Sequence, residues 1–463
     1  MLVVLSDLHF VDGTAGEHNL APEAFYRVFA DDIVGVARSK AIEEVDILLL
    51  GDIFDLLRTE QWFEVAIDAR PWGRDTQACL EHADKILKDI LEHVVERDGK
   101  RVIDNPAIFR FFREELPKRL AEVGVKKTTI HYVPGNHDRL VNAAPALRDR
   151  VAAALGIDLA GGWFPNAYRS ERYGVIARHG HEFDHLNCAS SAKPYDDPKT
   201  TSELERRRRD YAEHTSIGDV ITTELAARLP HLVRTRLDDP DPLLVERFQE
   251  IENVRPLSGI LAFLRYQART TGERWKAIEG LLIEAVEYFL GLDFVRNYDK
   301  EHGLFPLGDR DADIVDQIQI ALRTLRILGL EPTLKLAEKL GILPRDDAED
   351  NEDEREAALR EPGIACIEDP IRFVLYGHTH GPRVLPLTYL HSPDFKQVKE
   401  CQLVNTGTWR ARFRQTARRD GFTKLQNMTY VLVYDANEDR FDDDHEKPPT
   451  LEIWTGSRKK YFI

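Results

Sequence analysis

Five short apolar runs recur along the chain, and each ends in polar side chains able to bind a metal. The first is Leu2–Leu5, which leads into Ser6-Asp7-Leu8-His9. Runs at 47–50, 128–133, 174–177 and 371–376 end at or near Gly51-Asp52, Pro134-Gly135-Asn136-His137-Asp138, His179-Gly180-His181 and Gly377-His378-Thr379-His380. Each is short, β-branched or leucine-rich, and bounded by Gly or Pro, which is the pattern of a buried strand. Residues 22–44, 60–97 and 108–123 carry helical patterning between the first three runs. Strands alternating with helices predict a layered α/β fold. In such sheets ligands collect beyond the carboxyl ends of the strands. The pattern therefore predicts one site built from five loops on a rigid core.

That grammar stops between 193 and 370. Leu, Ile and Phe recur at helical spacing against Arg and Glu from 202 to 343. We expect a helical insertion or cap over 193–345, since the segment is too long for a plain loop. Its aromatics Tyr266, Trp275, Tyr288, Phe289 and Tyr298 read as core of that insertion, which emerges beside the site and so is expected to cap it. Residues 346–370 read as an acidic linker, because 346–356 is almost entirely acidic and expected to be solvated and mobile. Strand patterning returns at 384–390, 400–404, 428–433 and 451–454, which predicts a second sheet packed on the first. The site-bearing segments, 1–192 and 371–463, thus make one discontinuous domain.

Composition narrows the class. Of 463 residues, 43% are hydrophobic and 31% charged, which suits a globular protein and excludes collagen-like, disulfide-scaffold and wholly disordered chains. The formal net charge of −17 argues against a protein that coats nucleic acid or anionic membrane over its whole surface, and leaves room for a local basic groove. Cys79, Cys188, Cys366 and Cys401 are far apart in sequence, so no CxxC motif exists and a reducing cytoplasm is expected. The most apolar long stretch, 281–295, is broken by Glu284, Glu287 and Asp293. No membrane span and no export signal are expected.

The strand-end residues Asp7, His9, Asp52, Asn136, His179 or His181, His378 and His380 offer oxygen and imidazole ligands without thiolate. That set suits divalent Mn, Fe, Zn, Ni or Co. Seven ligands exceed what one catalytic zinc uses, whereas two cations sharing a carboxylate accommodate them. Asp52, on the central strand, is the natural bridge. Asp7-x-His9 and His378-x-His380 share a spacing that, at a strand end, points both side chains to one face.

Taken in order, Asp7-x-His9, Gly51-Asp52-x-x-Asp55, Gly135-Asn136-His137-Asp138, His179-Gly180-His181 and Gly377-His378-Thr379-His380 resemble the calcineurin-like metallophosphoesterase superfamily. The likeness covers residues 1 to about 185 and 371 to about 410 and leaves the insertion unexplained. It implies a four-layer sandwich, two mixed β-sheets flanked by helices. It implies two divalent metal ions, Mn foremost. Asp7, His9, Asp52 and His380 would hold one; Asp52, Asn136, His179 and His378 the other. His179 is preferred to His181 because the family places its ligand before the glycine, which makes His181 a residue behind the ligands or on the substrate. The implied chemistry is hydrolysis of a phosphodiester, pyrophosphate or phosphomonoester by a metal-bridging hydroxide. His137 would protonate or stabilise the leaving oxygen, oriented by Asp55 or by Asp138.

Departures from the family narrow the substrate. Protein Ser/Thr phosphatases of the superfamily carry Asp-Arg-Gly where this chain has Asp55-Leu56-Leu57, and Glu where it has Asp138. The chain is more similar to the nuclease, nucleotide-pyrophosphatase and lipid-precursor hydrolase branches. A phosphate-ester substrate, nucleotide or nucleic acid is the expected partner, with a protein partner through the insertion as a further option. Arg139, after the third motif, is placed as a phosphate ligand. Arg410, Arg412, Arg414, Arg418, Arg419 and Lys424 form a basic cluster that reads either as a charged strand face or as a phosphate dock. Arg206–Arg209 reads as solvated surface, and Asp184 as a neighbour of the fourth motif. Two rival functions remain at this level. One is a DNA or RNA nuclease using the same dinuclear site; the other is a non-catalytic metal-binding scaffold.

Overall fold

The computed structural model describes residues 1–16, 20, 22–159, 162–184, 186–188, 214–254, 259–302, 314–329, 333, 352–394, 396–439 and 448–459. Its strands are β1 (Leu2–Leu5), β2 (Glu44–Leu50), β3 (Val94–Arg97), β4 (Lys100–Asp104), β5 (Lys127–Val133), β6 (Tyr168–Ser170), β7 (Val175–Ala177), β8 (Phe373–Tyr376), β9 (Arg383–His391), β10 (Val398–Asn405), β11 (Ala411–Gln415), β12 (Phe422–Tyr434) and β13 (Thr450–Lys459). The protein is α/β, with mixed sheets. One sheet runs β11-β12-β1-β2-β5, with β13 also paired to β12; the other runs β6-β7-β8-β10-β9. Strands β1, β2 and β5 are mutually parallel, as are β7, β8 and β10.

Strand β1 shows why its four residues are all apolar. Val3 and Leu5 face a cluster with Phe25, Phe29, Ile86 and Val151 from helices on the outer side. Leu2 and Val4 face the other way, where they meet Val175, Phe373, Leu375 and Val404 of the second sheet. A strand buried on both faces reads as a continuous hydrophobic run rather than an alternating one. Behind the second sheet, Val374, Tyr376 and Leu403 pack against Ala357 and Ala358.

Three expectations change. Residues 60–97 do not form one long helix: Thr76–Glu92 is helical, and the chain then turns into the β3-β4 hairpin. Asp98 and Gly99 both take positive φ between two β-branched runs, the Asp-Gly hairpin signal. The C-terminal strands do not make one second sheet. Strands β9 and β10 join β7 and β8, while β11, β12 and β13 complete the first sheet, where β12 lies antiparallel to β1. Apolar patterning marks a strand but carries no information on its partner. Finally, part of the expected acidic linker is a packed helix, Glu352–Leu359, with Glu354 and the Ala357-Ala358 pair buried. Counting acidic residues hid a helix face that covers the second sheet. Positions 346–351 lie outside the described residues.

The described part of the insertion is helical, including Pro242–Gln249, Gly259–Thr271 and Trp275–Gly291. It does not stand apart from the sheets. Phe248, Val254, Phe263 and Trp275 form a cluster that includes Phe413 of β11. Buried Glu224 pairs with Arg70, and Thr223 donates to the Leu57 carbonyl at 3.1 Å. Arg206–Arg209 lies outside the described residues. Among the described residues, no helix is long and apolar enough to cross a membrane.

Candidate metal centre

The parallel strands β1, β2 and β5 end at Leu5, Leu50 and Val133, and β7 and β8 at Ala177 and Tyr376. Asp7, Asp52, Asn136, His179 and His378 follow within two or three residues. The loops are tied to one another by backbone hydrogen bonds. Asp7 N donates to Gly51 O (3.0 Å), His9 N to Asp52 O (2.9 Å) and Gly377 N to His179 O (2.9 Å).

Strand alternation is not what brings Asp7 beside His9, or His378 beside His380. Both pairs lie past the strand ends, and all four residues adopt the left-handed region, with φ of 54°, 49°, 63° and 60°. Asp52 does the same at 50°. Left-handed backbone costs a non-glycine residue roughly 1–2 kcal/mol. Here the surrounding hydrogen bonds hold five such residues in one place, a concentration of strain typical of functional sites. Two glycines make the close approach possible. A Cβ at Gly51 (φ +76°) would stand 2.2 Å from His179 Nδ1, and one at Gly135 2.3 Å from Asp52 Oδ1.

The side chains gather into three groups whose ligand atoms lie within 4.8 Å of one another in each: the triads Asp7–His9–His380 and Asp52–His179–His378, and His9–Asp55–His137 beside the first. In the first, His380 Nε2 is 3.0 Å from Asp7 Oδ1 and 3.3 Å from His9 Nε2. In the second, His179 Nε2 is 3.2 Å from Asp52 Oδ2 and 3.2 Å from Asn136 Oδ1. Asp52 Oδ2 also stands 3.7 Å from His9 Nε2, so the Asp52 carboxylate lies between the two triads.

Partners behind the ligands fix their orientation. His179 Nδ1 lies 3.1 Å from the Leu50 carbonyl, which sets the tautomer and turns Nε2 to the site. Asp55 lies between two rings, 3.1 Å from His9 Nδ1 and 2.8 Å from His137 Nδ1. His378 Nε2 lies 2.9 Å from Asp184 Oδ2. Asn405 Nδ2 donates to Gly377 O (2.8 Å), to Thr379 Oγ1 (2.8 Å) and to buried Glu354 (3.0 Å), which clamps the His378-His380 loop.

Burial and neighbouring charges shift the titration of these groups. Burial pushes the Asp7 carboxyl up to about 6. Burial would raise Asp52 as well, but His179 and His137 hold it well below the usual carboxylate range. Burial works to lower His179, yet Asp52 carries it up to about 10. His137 is likewise lifted to about 9, against burial, by Asp55 and Asp52. Burial, with Arg410 nearby, drives His9 down to about 3.

The structure separates the expected residues into two groups. Asp7, His9, Asp52, Asn136, His179, His378 and His380 come together. His137 and Asp55 meet beside them, and His137 N donates to Asp52 Oδ1 (2.8 Å). His181 is buried nearby, its ring centre 5.4 Å from that of His179, but it belongs to neither triad. Asp138 is not the residue that orients His137. Its carboxylate accepts from Ile53 N (2.8 Å), Phe54 N (3.3 Å) and Gly135 N, so it ties the second motif to the third. Arg139 is turned to the insertion, with Nε 2.7 Å from Asp219 Oδ2 and Nη2 2.9 Å from Thr215 Oγ1. The basic cluster splits. Arg410 and Lys424 are buried against Glu252 and Glu250, whereas Arg414, Arg418 and Arg419 are exposed. Strand β11 carries part of this cluster, and its alternation sends neighbours to opposite sides.

Arg58, Glu252 and Glu354 escaped the sequence reading. Arg58 follows Asp55 by three residues, a hint in retrospect. Nothing marks Glu252 among the acidic residues of the insertion.

Asp7 Oδ1 is buried and accepts no hydrogen bond, although it faces the ring nitrogen of His380. An orphaned carboxylate oxygen between imidazoles is costly unless a cation completes it. The donor set, its burial and the orienting partners fit a metal ion. Compared with known proteins, the chain matches no family model and none of the curated proteins.

Proposed function

We propose that the protein is a metal-dependent phosphoester hydrolase with two divalent cations, of the calcineurin-like metallophosphoesterase class. The observation that carries this reading is the Asp52 carboxylate lying between two histidine-bearing triads. Asp7, His9 and His380 would hold one cation and Asn136, His179 and His378 the other, with Asp52 shared. The two sheets packed face to face, with helices against both outer sides, suit the four-layer architecture of that class. When bound, the cations would supply Lewis acidity toward the phosphoryl oxygens and a lowered pKa for water.

The residues of the chain supply the rest. His137 enters as imidazolium, held by Asp55, and can give its proton to a leaving oxygen. Its ring reaches the outside, with 13% of the side chain exposed, whereas Asp55 is fully buried. Asp55 also holds His9, so one carboxylate orients a ligand and the acid together. Asp138 and Asn405 keep the loops from relaxing.

The test is turnover with Mn²⁺ on bis-p-nitrophenyl phosphate, p-nitrophenyl phosphate, cyclic nucleotides, dinucleoside polyphosphates and single- and double-stranded DNA. Metal-dependent hydrolysis of at least one class is expected. Stoichiometric metal binding with no hydrolysis anywhere in the panel would support a scaffold instead.

A further inference from the structure

Arg58 and Arg410 share one carboxylate oxygen, Glu252 Oε2, at 3.6 and 2.8 Å. Both arginines come from the loops that build the metal centre. Arg58 lies three residues after Asp55, and Arg410 directly follows Trp409, whose amide donates to the Asp7 carbonyl at 3.3 Å. Glu252 comes from the insertion, on the short turn Ile251–Asn253.

The Arg58 pairing is incomplete. Its side chain is 2% exposed, and Nε makes no hydrogen bond; Asp55 Oδ2, the other acid beside it, is 3.5 Å away. Asp55 is already engaged by His9 and His137. Arg139, by contrast, pairs with Asp219 at 2.7 Å. A buried guanidinium whose Nε meets two carboxylate oxygens only at 3.5 and 3.6 Å is costly, and its planar fork matches a phosphoryl group better than that pair.

Glu252 is the outermost member, with 13% of its side chain exposed against 6% for Arg410. Its backbone is pinned, because Val254 bridges to Phe413 and the Asn253 side chain bonds both Arg410 and Glu250. What can leave is the Glu252 carboxylate, not the turn. The pair also sits beside the reacting groups: Arg58 lies against Asp55, which orients both His9 and His137.

We propose that Arg58 and Arg410 form a second anion subsite, closed in the resting protein by Glu252, that takes the non-reacting phosphoryl group of a diphosphate-bearing substrate. The substrate class rests on the phosphoesterase reading; the anion subsite does not. A diphosphate would displace the Glu252 carboxylate and offer its oxygens to both guanidiniums. A substrate with a single phosphoryl group would leave Glu252 in place.

The test uses the full chain loaded with Mn²⁺ and compares methylenediphosphonate with methylphosphonate by calorimetry. In Glu252→Gln we expect diphosphonate to bind about tenfold more tightly, with methylphosphonate moving by less than about twofold. Adding Arg410→Gln to that variant should return diphosphonate to the wild-type value. Arg58→Lys in the same background is the second route, since an ammonium cannot reproduce the fork. Melting and metal content certify each variant. An unchanged diphosphonate-to-monophosphonate ratio in Glu252→Gln overturns the subsite. Turnover of bis-p-nitrophenyl phosphate by the wild type is read in parallel. Its absence with every metal would defeat the hydrolase reading and leave the ratio measurement to stand or fall by itself.

Discussion

On one side of Asp52, Asp7, His9 and His380 are almost wholly buried, with Arg58, Arg410 and the insertion packed beyond them. On the other, His179 and Asn136 are as deeply buried, and the His378 side chain is 9% exposed against 7% for His380; the difference lies in Asp184, the partner of His378, which is 31% exposed. The first side has two buried carboxylates, with the Arg58 and Arg410 guanidiniums behind. The second shares Asp52 and adds an amide and two imidazoles. Low dielectric strengthens every charge interaction on the buried side. If each half holds a cation as proposed, the two should differ in how firmly they keep it and how easily they exchange it, with the Asp184 side as the entrance.

The largest expected effect erases the comparison altogether. If Asp52 bridges two cations as proposed, Asp52→Asn removes the shared charge, so both metals should be lost and turnover should fall by about a thousandfold or more. Metal analysis beside the rate decides this; a variant that keeps both ions would show that Asp52 is no bridge. His137→Ala should keep full metal content and lose about a hundredfold to ten-thousandfold in rate. If it empties the site instead, His137 is a ligand and its pairing with Asp55 has been misread. Asp184→Asn sharpens the contrast. Affinity should weaken by about ten- to a hundredfold for one metal only, seen as a biphasic titration. Equal weakening of both ions would deny the asymmetry.

The smallest effect concerns the metal-free protein. His137 and His179 are raised from 6.5 to about 9 and about 10, so their contribution to stability is full below pH 6.5. It is lost as pH rises through 9 to 10. His9 and His181 are lowered and already neutral in that window, so they do not offset the loss. Melting of metal-free protein should fall between pH 6.5 and 10, and added metal should flatten the decline. A metal-free melting curve that rises over this range contradicts the assignment.

Much of this site was legible before any coordinates. A run such as Leu2–Leu5 followed by Asp7 and His9 announces both a buried strand and a polar loop, because burial on two faces demands continuous apolar residues. The hairpin at Asp98-Gly99 was missed: its turn residues carried a signal, but the helical patterning read over 60–97 overrode it. The helix Glu352–Leu359 was not, because a count of charges ignores which face each residue occupies. Arg139 and Asp138 show the opposite failure. Proximity in sequence to His137 suggested a role in chemistry, and the fold gave them loop-tying tasks instead.

By itself, the order of residues determined which side chains stand at strand ends and which donor atoms they offer, since both follow from local pattern and side-chain type. Tertiary structure alone decided that Asp7 and His9 converge through left-handed backbone, that β12 pairs with β1 rather than with β10, and that Glu252 meets Arg58 across some two hundred residues of chain. Those outcomes depend on packing between distant segments, whose energies are sums over contacts that no local window contains.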